Sequence, residues 1–339
     1  MVEADLEAVD VRSAASTVDS LSSRIISSPT VIDRPWMIGV HRDVVVVSDL
    51  DPPYVHILDR LTGRHIRSFG AHGEGPGEFS NGPSILRTSL RTDTLWVLDG
   101  PQQRLTGIPI QSLAGSSMQI TGRTVMISPI GAHSADGPTT QGRFIITEDD
   151  RESGVRLYEV DADSGKIRAS AMVPLGDTRP SPAFRGSAYS GRVCLAGNRN
   201  DLYLAYRYAG RIDHLSSTAQ PLVPVKVPFG WLPYVSVDTL DRKLTTFGAS
   251  RPLARRSYND CGVTDLHLYA TYSGRRYGRP RNPHPLSELH VFDGTGRLTH
   301  VYVLDHIAMT FAVSADDREL YSVSEDSAGF VVRITQLRR

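Results

Sequence analysis

Between Arg251 and Arg281 the chain carries Arg251, Arg255, Arg256, Arg275, Arg276, Arg279 and Arg281 against only Asp260 and Asp265, interleaved with Tyr258, Tyr269, Tyr272 and Tyr277. Guanidinium forks grip carboxylates and phosphates bidentately and stack on aromatic faces, so this residue mix suits a small anionic molecule, a peptide carboxylate or a sugar acid. Arginine is also this protein's default base: Lys166, Lys226 and Lys243 are its only lysines, so solvated loops compete as an explanation of the cluster. Other chemistry is thin. No Gly-x-Ser-x-Gly nucleophile elbow and no His-Glu-x-x-His zinc motif occurs, and Gly186-Ser187-Ala188-Tyr189-Ser190-Gly191 has the wrong spacing. The Gly-rich run Phe69-Gly70-Ala71-His72-Gly73-Glu74-Gly75-Pro76-Gly77-Glu78-Phe79 lacks the Lys-Ser/Thr pair and following helix of a phosphate loop. Its glycines read instead as positions of positive φ in a connection. Asp161-Ala162-Asp163-Ser164-Gly165 opens like a calcium loop but lacks the distal Glu, and reads as a hairpin turn.

The elements that must position such residues come from a repeat. A strand, a turn, a second alternating strand, a Gly-containing turn and a third strand recur along the chain. Phase markers fall at Val44, Thr94, Arg143, Asp201, Asp265 and Glu319, intervals of about 50 to 64 residues. Within the units, Val55-His56-Ile57-Leu58 and Leu289-His290-Val291-Phe292 alternate apolar and polar residues as strands of packed sheets do. These six units predict an all-β fold, a six-bladed β-propeller with about four antiparallel strands per blade. Only Ser236 to Phe247 reads as helical. The sixth unit offers three strands, His306 to Val313, Glu319 to Ser324 and Phe330 to Thr335, so one of the N-terminal stretches Leu6 to Val11 or Ser23 to Ser27 is expected to complete it. Residues 1–339 then form one domain, with 1–30 a closing segment and 228–258 a long inter-blade connection. A second long connection, Ser273 to Leu286, borders the same Arg/Tyr region, and connections of this length in compact domains are commonly functional.

Charge and cysteine content set bounds. Formal net charge is zero, which argues against nucleic acid as partner, and no run approaches the ~18 apolar residues of a membrane span. Met1-Val2-Glu3-Ala4-Asp5 is acidic where a signal peptide is basic. The expectation is a monomer without a transmembrane segment, its compartment open. Cys194 and Cys261 lie near the inner strands of neighbouring predicted blades; a bridge between them is one reading, and two buried free thiols is the preferred one for so low a count.

The Gly-rich run from Phe69 to Phe79 resembles the inter-blade connector of NHL-type propellers and of bacterial TolB-like six-bladed propeller proteins. Tyr269-Ala270-Thr271-Tyr272-Ser273-Gly274, Ser287 to Gly296 and Val303-Leu304-Asp305 are similar to the fifth blade of the second group. The resemblance spans roughly residues 20 to 335 and implies the same fold while saying little about activity. Members of that group commonly look exported or lipid-anchored, whereas this chain shows no leader or lipobox. In related six-bladed lactonases and lyases a metal sits on the central axis where the innermost strands begin. By that logic the polar residues flanking predicted inner strands are Asp33, His41, Asn81, His133, Asn259, Asp260 and His306. They would suit Ca²⁺ if oxygen ligands converge, or a transition metal if the histidines do; strand-end hydrogen bonding is the competing reading. Two functions follow. The preferred one is a non-catalytic propeller binding a small anionic ligand, peptide or protein on its loop-rich face, because no catalytic motif is recognisable. The alternative is an axial-site, metal-assisted hydrolase or lyase. No cofactor is required by the first.

Overall fold

The computed structural model describes residues 14–28, 31–114, 122–127, 131–150, 154–176, 182–196, 201–228, 230–237, 245–247, 254–274 and 287–338. Six sheets stand in a ring, and each is built outward from a strand lining the axis. Blade 1 comprises Pro35–Val40, Val44–Asp49, Val55–Asp59 and His65–Phe69; blade 2 comprises Ser84–Leu86, Thr94–Asp99, Arg104–Pro109 and Arg123–Met126. Blade 3 runs through Ala132–Asp136, Arg143–Asp150, Gly154–Asp161 and Ile167–Met172, and blade 4 through Gly191–Leu195, Asp201–Tyr206 and Ile212–Ser216. Blade 5 has Tyr258–Val263, His267–Tyr272, Glu288–Asp293 and Leu298–Leu304, and blade 6 has Thr310–Val313, Glu319–Asp326 and Gly329–Gln336. The inner strands of successive blades touch all the way round, and Thr310–Val313 meets Pro35–Val40 to close the circle.

The N-terminal segment locks that circle twice. Ser23–Ile25 pairs antiparallel with the last strand, Ser23 opposite Thr335 and Ile25 opposite Arg333, and completes blade 6 as expected. Thr17–Leu21 adds in parallel to Leu298–Leu304 as a fifth strand of blade 5, an addition not anticipated. Leu6 to Val11 lies outside the described residues.

Strand alternation explains the packing. In Val44-Val45-Val46-Val47 every side chain is buried. Val44 and Val46 pack with Ile85, Leu95 and Val97 of blade 2, whereas Val45 and Val47 face Tyr321 and Val323 of blade 6. A strand between two neighbouring sheets has no solvent face, so it reads as a continuous apolar run. At about 1.5–3 kcal/mol for each buried side chain of this size, these inter-blade layers are the main adhesive of the ring.

The connector glycines behave as read. Gly70 and Gly77 have φ of 93° and 76° where the chain leaves the outer strand of blade 1 for the axis of blade 2. A Cβ at Gly70 would lie 2.9 Å from the Phe79 ring. The Asp161 turn is a hairpin: its carboxylate accepts the Ser164 N–H and O–H, and Gly165 takes φ of 69°.

Three expectations are corrected. Val235–Val237 and Thr245–Phe247 pair as antiparallel strands rather than forming the helix read at Ser236 to Phe247, with 238–244 outside the described residues. The β-branched and aromatic residues at its two ends satisfy a strand better than a helix. Helices appear instead at Ile110–Ala114 and Pro182–Ala188. Blade 4 shows three strands among the described residues, not four. Cys194 and Cys261 are joined in a disulfide, not two free thiols, because adjacent inner strands bring their Cα atoms to 6.1 Å.

Candidate functional site

The inner strands all run in one direction, and at their C-terminal ends they open a cavity of about 550 Å³ on the axis. Apolar wall is supplied by Met37, Val40, Ile85 and Val193, while Arg42, Arg60 and Arg91 stand at the mouth. Each mouth arginine has its own counter-ion. Arg42 meets Asp93 at 2.8 Å, Arg91 meets Asp265 at 2.9 Å, and Arg60 meets Glu319 at 2.6 Å while hydrogen-bonding the Tyr321 hydroxyl.

Two side chains cross the axis and close it below the cavity. Arg87, just after the inner strand of blade 2, donates bidentately to Asp260 in blade 5 opposite (2.7 and 2.6 Å), and also to Cys261 O and Thr310 Oγ1. Arg192 reaches from blade 4 to blade 1, its guanidinium 5.6 Å from the Trp36 ring centre and 3.3 Å from Met37 Sδ. Its nearest carboxylate is Asp260, at 3.7 Å. Burial would raise the Asp260 pKa, but Arg87 and Arg192 outweigh it and hold the carboxyl below its usual range. Burial pulls Arg192 down to about 10, partly offset by Asp260. Asp136 borders the same space with its oxygens taken by Thr88 N and Oγ1, Gly137 N and Leu195 N. The buried disulfide forms another part of the wall.

Of the predicted axial ligands, Asp260 and His41 are brought to this site, Asp260 as the ion-pair anion and His41 at the mouth, 3.6 Å from Asp93. Burial lowers the His41 pKa. The others disperse along the opposite ends of the blades. Asp33 N–H donates to Asp49, the Asn81 carboxamide accepts its neighbour Gly82 N–H, and the Asn259 carboxamide donates to Met309 O. His306 bridges Asp305 and Ser322, both at 2.7 Å. His133 Nε2 lies 2.9 Å from Ser190 Oγ and its Nδ1 3.5 Å from Asp149. Among the described residues no group of three or more His, Cys, Asp or Glu is placed to hold a metal ion.

The Ser190–His133–Asp149 contact resembles a nucleophile triad, but its kind recurs. Ser68–His56–Asp49 and Ser322–His306–Asp305 repeat it in other blades with imidazoles that are buried. The recurrence places such Ser–His–Asp neighbours among the hydrogen-bonded polar groups at strand ends. Burial lowers His133 to about 4, aided by Arg207 and Arg192, and raises Asp149 to about 6.

Of the Arg/Tyr segment, Arg251, Arg275, Arg276 and Tyr277 lie outside the described residues. Arg255 stacks over Trp231, and Arg256 is half-buried beside it in sequence. Tyr258 is 1% exposed, its hydroxyl 3.2 Å from His290 Nδ1 within the blade 5 core, so its expected place on a ligand-facing surface is corrected: it starts an inner strand and packs inward. The segment's described residues Ala254 to Ser257 lead into the N-terminal end of the Tyr258–Val263 strand, away from the cavity mouth. Arg87 and Arg192, missed in the sequence, carried one signal, a cation in or beside an otherwise apolar inner strand.

The molecule is therefore a six-bladed propeller with an arginine-floored axial funnel. The family model of TolB-like 6-blade propeller-like proteins matches residues 16–316, and the chain belongs to that family. Similar solved structures include RRP9 WD40 repeats (11% identity, TM-score 0.53, covering 93% of this chain and 97% of that one) and U3-55K (10%, 0.52, 93% and 98%). The hydrazine synthase of Kuenenia stuttgartiensis is also similar (10%, 0.50, 90% and 96%). At such identities these likenesses speak for the fold alone. No curated protein matches the chain.

Proposed function

We propose that this chain is a non-catalytic binding propeller that draws a small anionic ligand, or the acidic end of a peptide or protein, into the axial funnel. The observation that carries this reading is the convergence of Arg42, Arg60, Arg87, Arg91 and Arg192 on one concave axial cavity. Its volume of about 550 Å³ lies within the range of small-molecule sites. Cations set in low-dielectric walls attract anions more strongly than the same charges in water. The described part of the Arg/Tyr segment, by contrast, is engaged in stacking and core packing.

The test is a thermal-melt and equilibrium-dialysis panel of carboxylates, phosphates and acidic peptides. A ligand at one hundred times its Kd stabilises by about 2.7 kcal/mol. The expected result is a saturable upward shift for at least one anion, lost in R42Q/R91Q/R192Q. A silent panel, or a shift retained by the triple variant, would overturn the reading.

A further inference from the structure

The hydrogen-bond donors around the funnel are not all filled. Arg42, Arg60 and Arg91 each hold a carboxylate at 2.6–2.9 Å. Asp260 is committed to Arg87 through both oxygens, and its Oδ1, the atom nearest Arg192, also accepts the Cys261 N–H at 3.0 Å. Asp136 is filled by N–H and O–H donors. Arg192 is thus left, among the described residues, with a thioether as its hydrogen-bond acceptor, an indole face and a carboxylate beyond hydrogen-bond range. Its side chain is 11% exposed, and that exposure is to the cavity it lines. A guanidinium has five N–H donors, and a buried one without acceptors is costly to keep.

Building on the binding reading above, we infer that the axial funnel is a site for an amphipathic monocarboxylate, its carboxylate docked on Arg192 and its apolar tail against Met37, Val40, Ile85 and Val313. Asp260 and Asp136 already offset Arg87 and Arg192 in charge, so the unfilled N–H donors of Arg192 favour the smallest added charge, a single carboxylate, over a dianion in a desolvated space. A planar two-oxygen head fits the guanidinium fork, and the fork's other face is already occupied by Trp36. Met37, Val40, Ile85 and Val313 of the lining can cover an alkyl or aryl tail.

Titration calorimetry with octanoate, benzoate, octanol and inorganic phosphate tests this on the full chain. Octanoate is expected to bind one to one and octanol not to bind. R192M is expected to weaken octanoate at least 30-fold. Should R192M fail to fold, V313F serves: Val313 is half-buried at the cavity edge, so a larger ring there narrows the tail space. Octanoate affinity should then fall at least 10-fold with the ligand-free melt unchanged. Phosphate binding without octanoate binding would overturn the monocarboxylate assignment and leave the anion-binding reading standing. Binding of neither, with none of the wider anion panel bound, would remove both. Octanoate affinity unchanged in R192M or in V313F would overturn the assignment.

Discussion

Asp260 lies in the middle of the molecule, 2% exposed, between two arginines from different blades. A carboxylate so placed is tolerable only because both oxygens are saturated, and removing its main partner should be costly. R87M is expected to destabilise by about 3 kcal/mol, at the lower end for a broken buried pair because Arg192 remains 3.7 Å away. The double variant R87M/D260N, which removes the unpaired charge but keeps an amide at the Cys261 and Phe311 N–H groups, should recover part of that loss. Urea midpoints for the two variants check this, and a double variant no better than R87M would show that packing rather than charge carries the cost. At this scale the sequence was least informative. Asp260 and His41 could be named as axial because they flank inner strands, but Arg192 sits in Gly-Arg-Val-Cys-Leu, where alternation alone reads an arginine as solvent-facing. Only the ring, by bringing blades 4 and 1 face to face across the axis, turns that position inward.

The blades themselves were largely legible. The phase markers Val44, Thr94, Arg143, Asp201 and Glu319 are each the first residue of a strand, and the Glu319 to Ser324 stretch extends to Asp326, because period-two alternation between turn signals is a local property. What escaped was non-local: the parallel pairing of Thr17–Leu21 onto blade 5, and the bond between Cys194 and Cys261. That bond joins blade 4 to blade 5 at the axis and closes a span of 67 residues. Loop-closure entropy for such a span is about 4 kcal/mol. C194S/C261S should therefore unfold at lower denaturant by roughly that free energy, and amide exchange should accelerate first in Gly191–Leu195 and Tyr258–Val263. Uniform acceleration around the ring would instead place the bond's contribution in the unfolded chain alone.

As a whole, the molecule's N-terminal clasp ends in a short antiparallel contact, Ser23–Ile25 on Arg333–Thr335, reinforced by Asp305 accepting both the N–H and the hydroxyl of Ser23. Deleting residues 1–27 removes this strand and the parallel one before it, uncovering the outer edges of blades 5 and 6. Exposed edges pair with other chains. The truncated protein is expected to form concentration-dependent oligomers by light scattering; a stable monomer with an unchanged melt would show that the ring holds without its clasp.

The same contact dictates when the protein can first exist in its finished form. Ser23 leaves the ribosome 310 positions ahead of Arg333, whose guanidinium donates to its hydroxyl. At translation rates of about 5–20 residues per second it waits roughly 15–60 s without its partner. Five blades can assemble in that interval, yet each intermediate is an arc with a sticky end. The blade edges stay uncovered over that interval, and the ring closes only after Arg333–Thr335 has emerged.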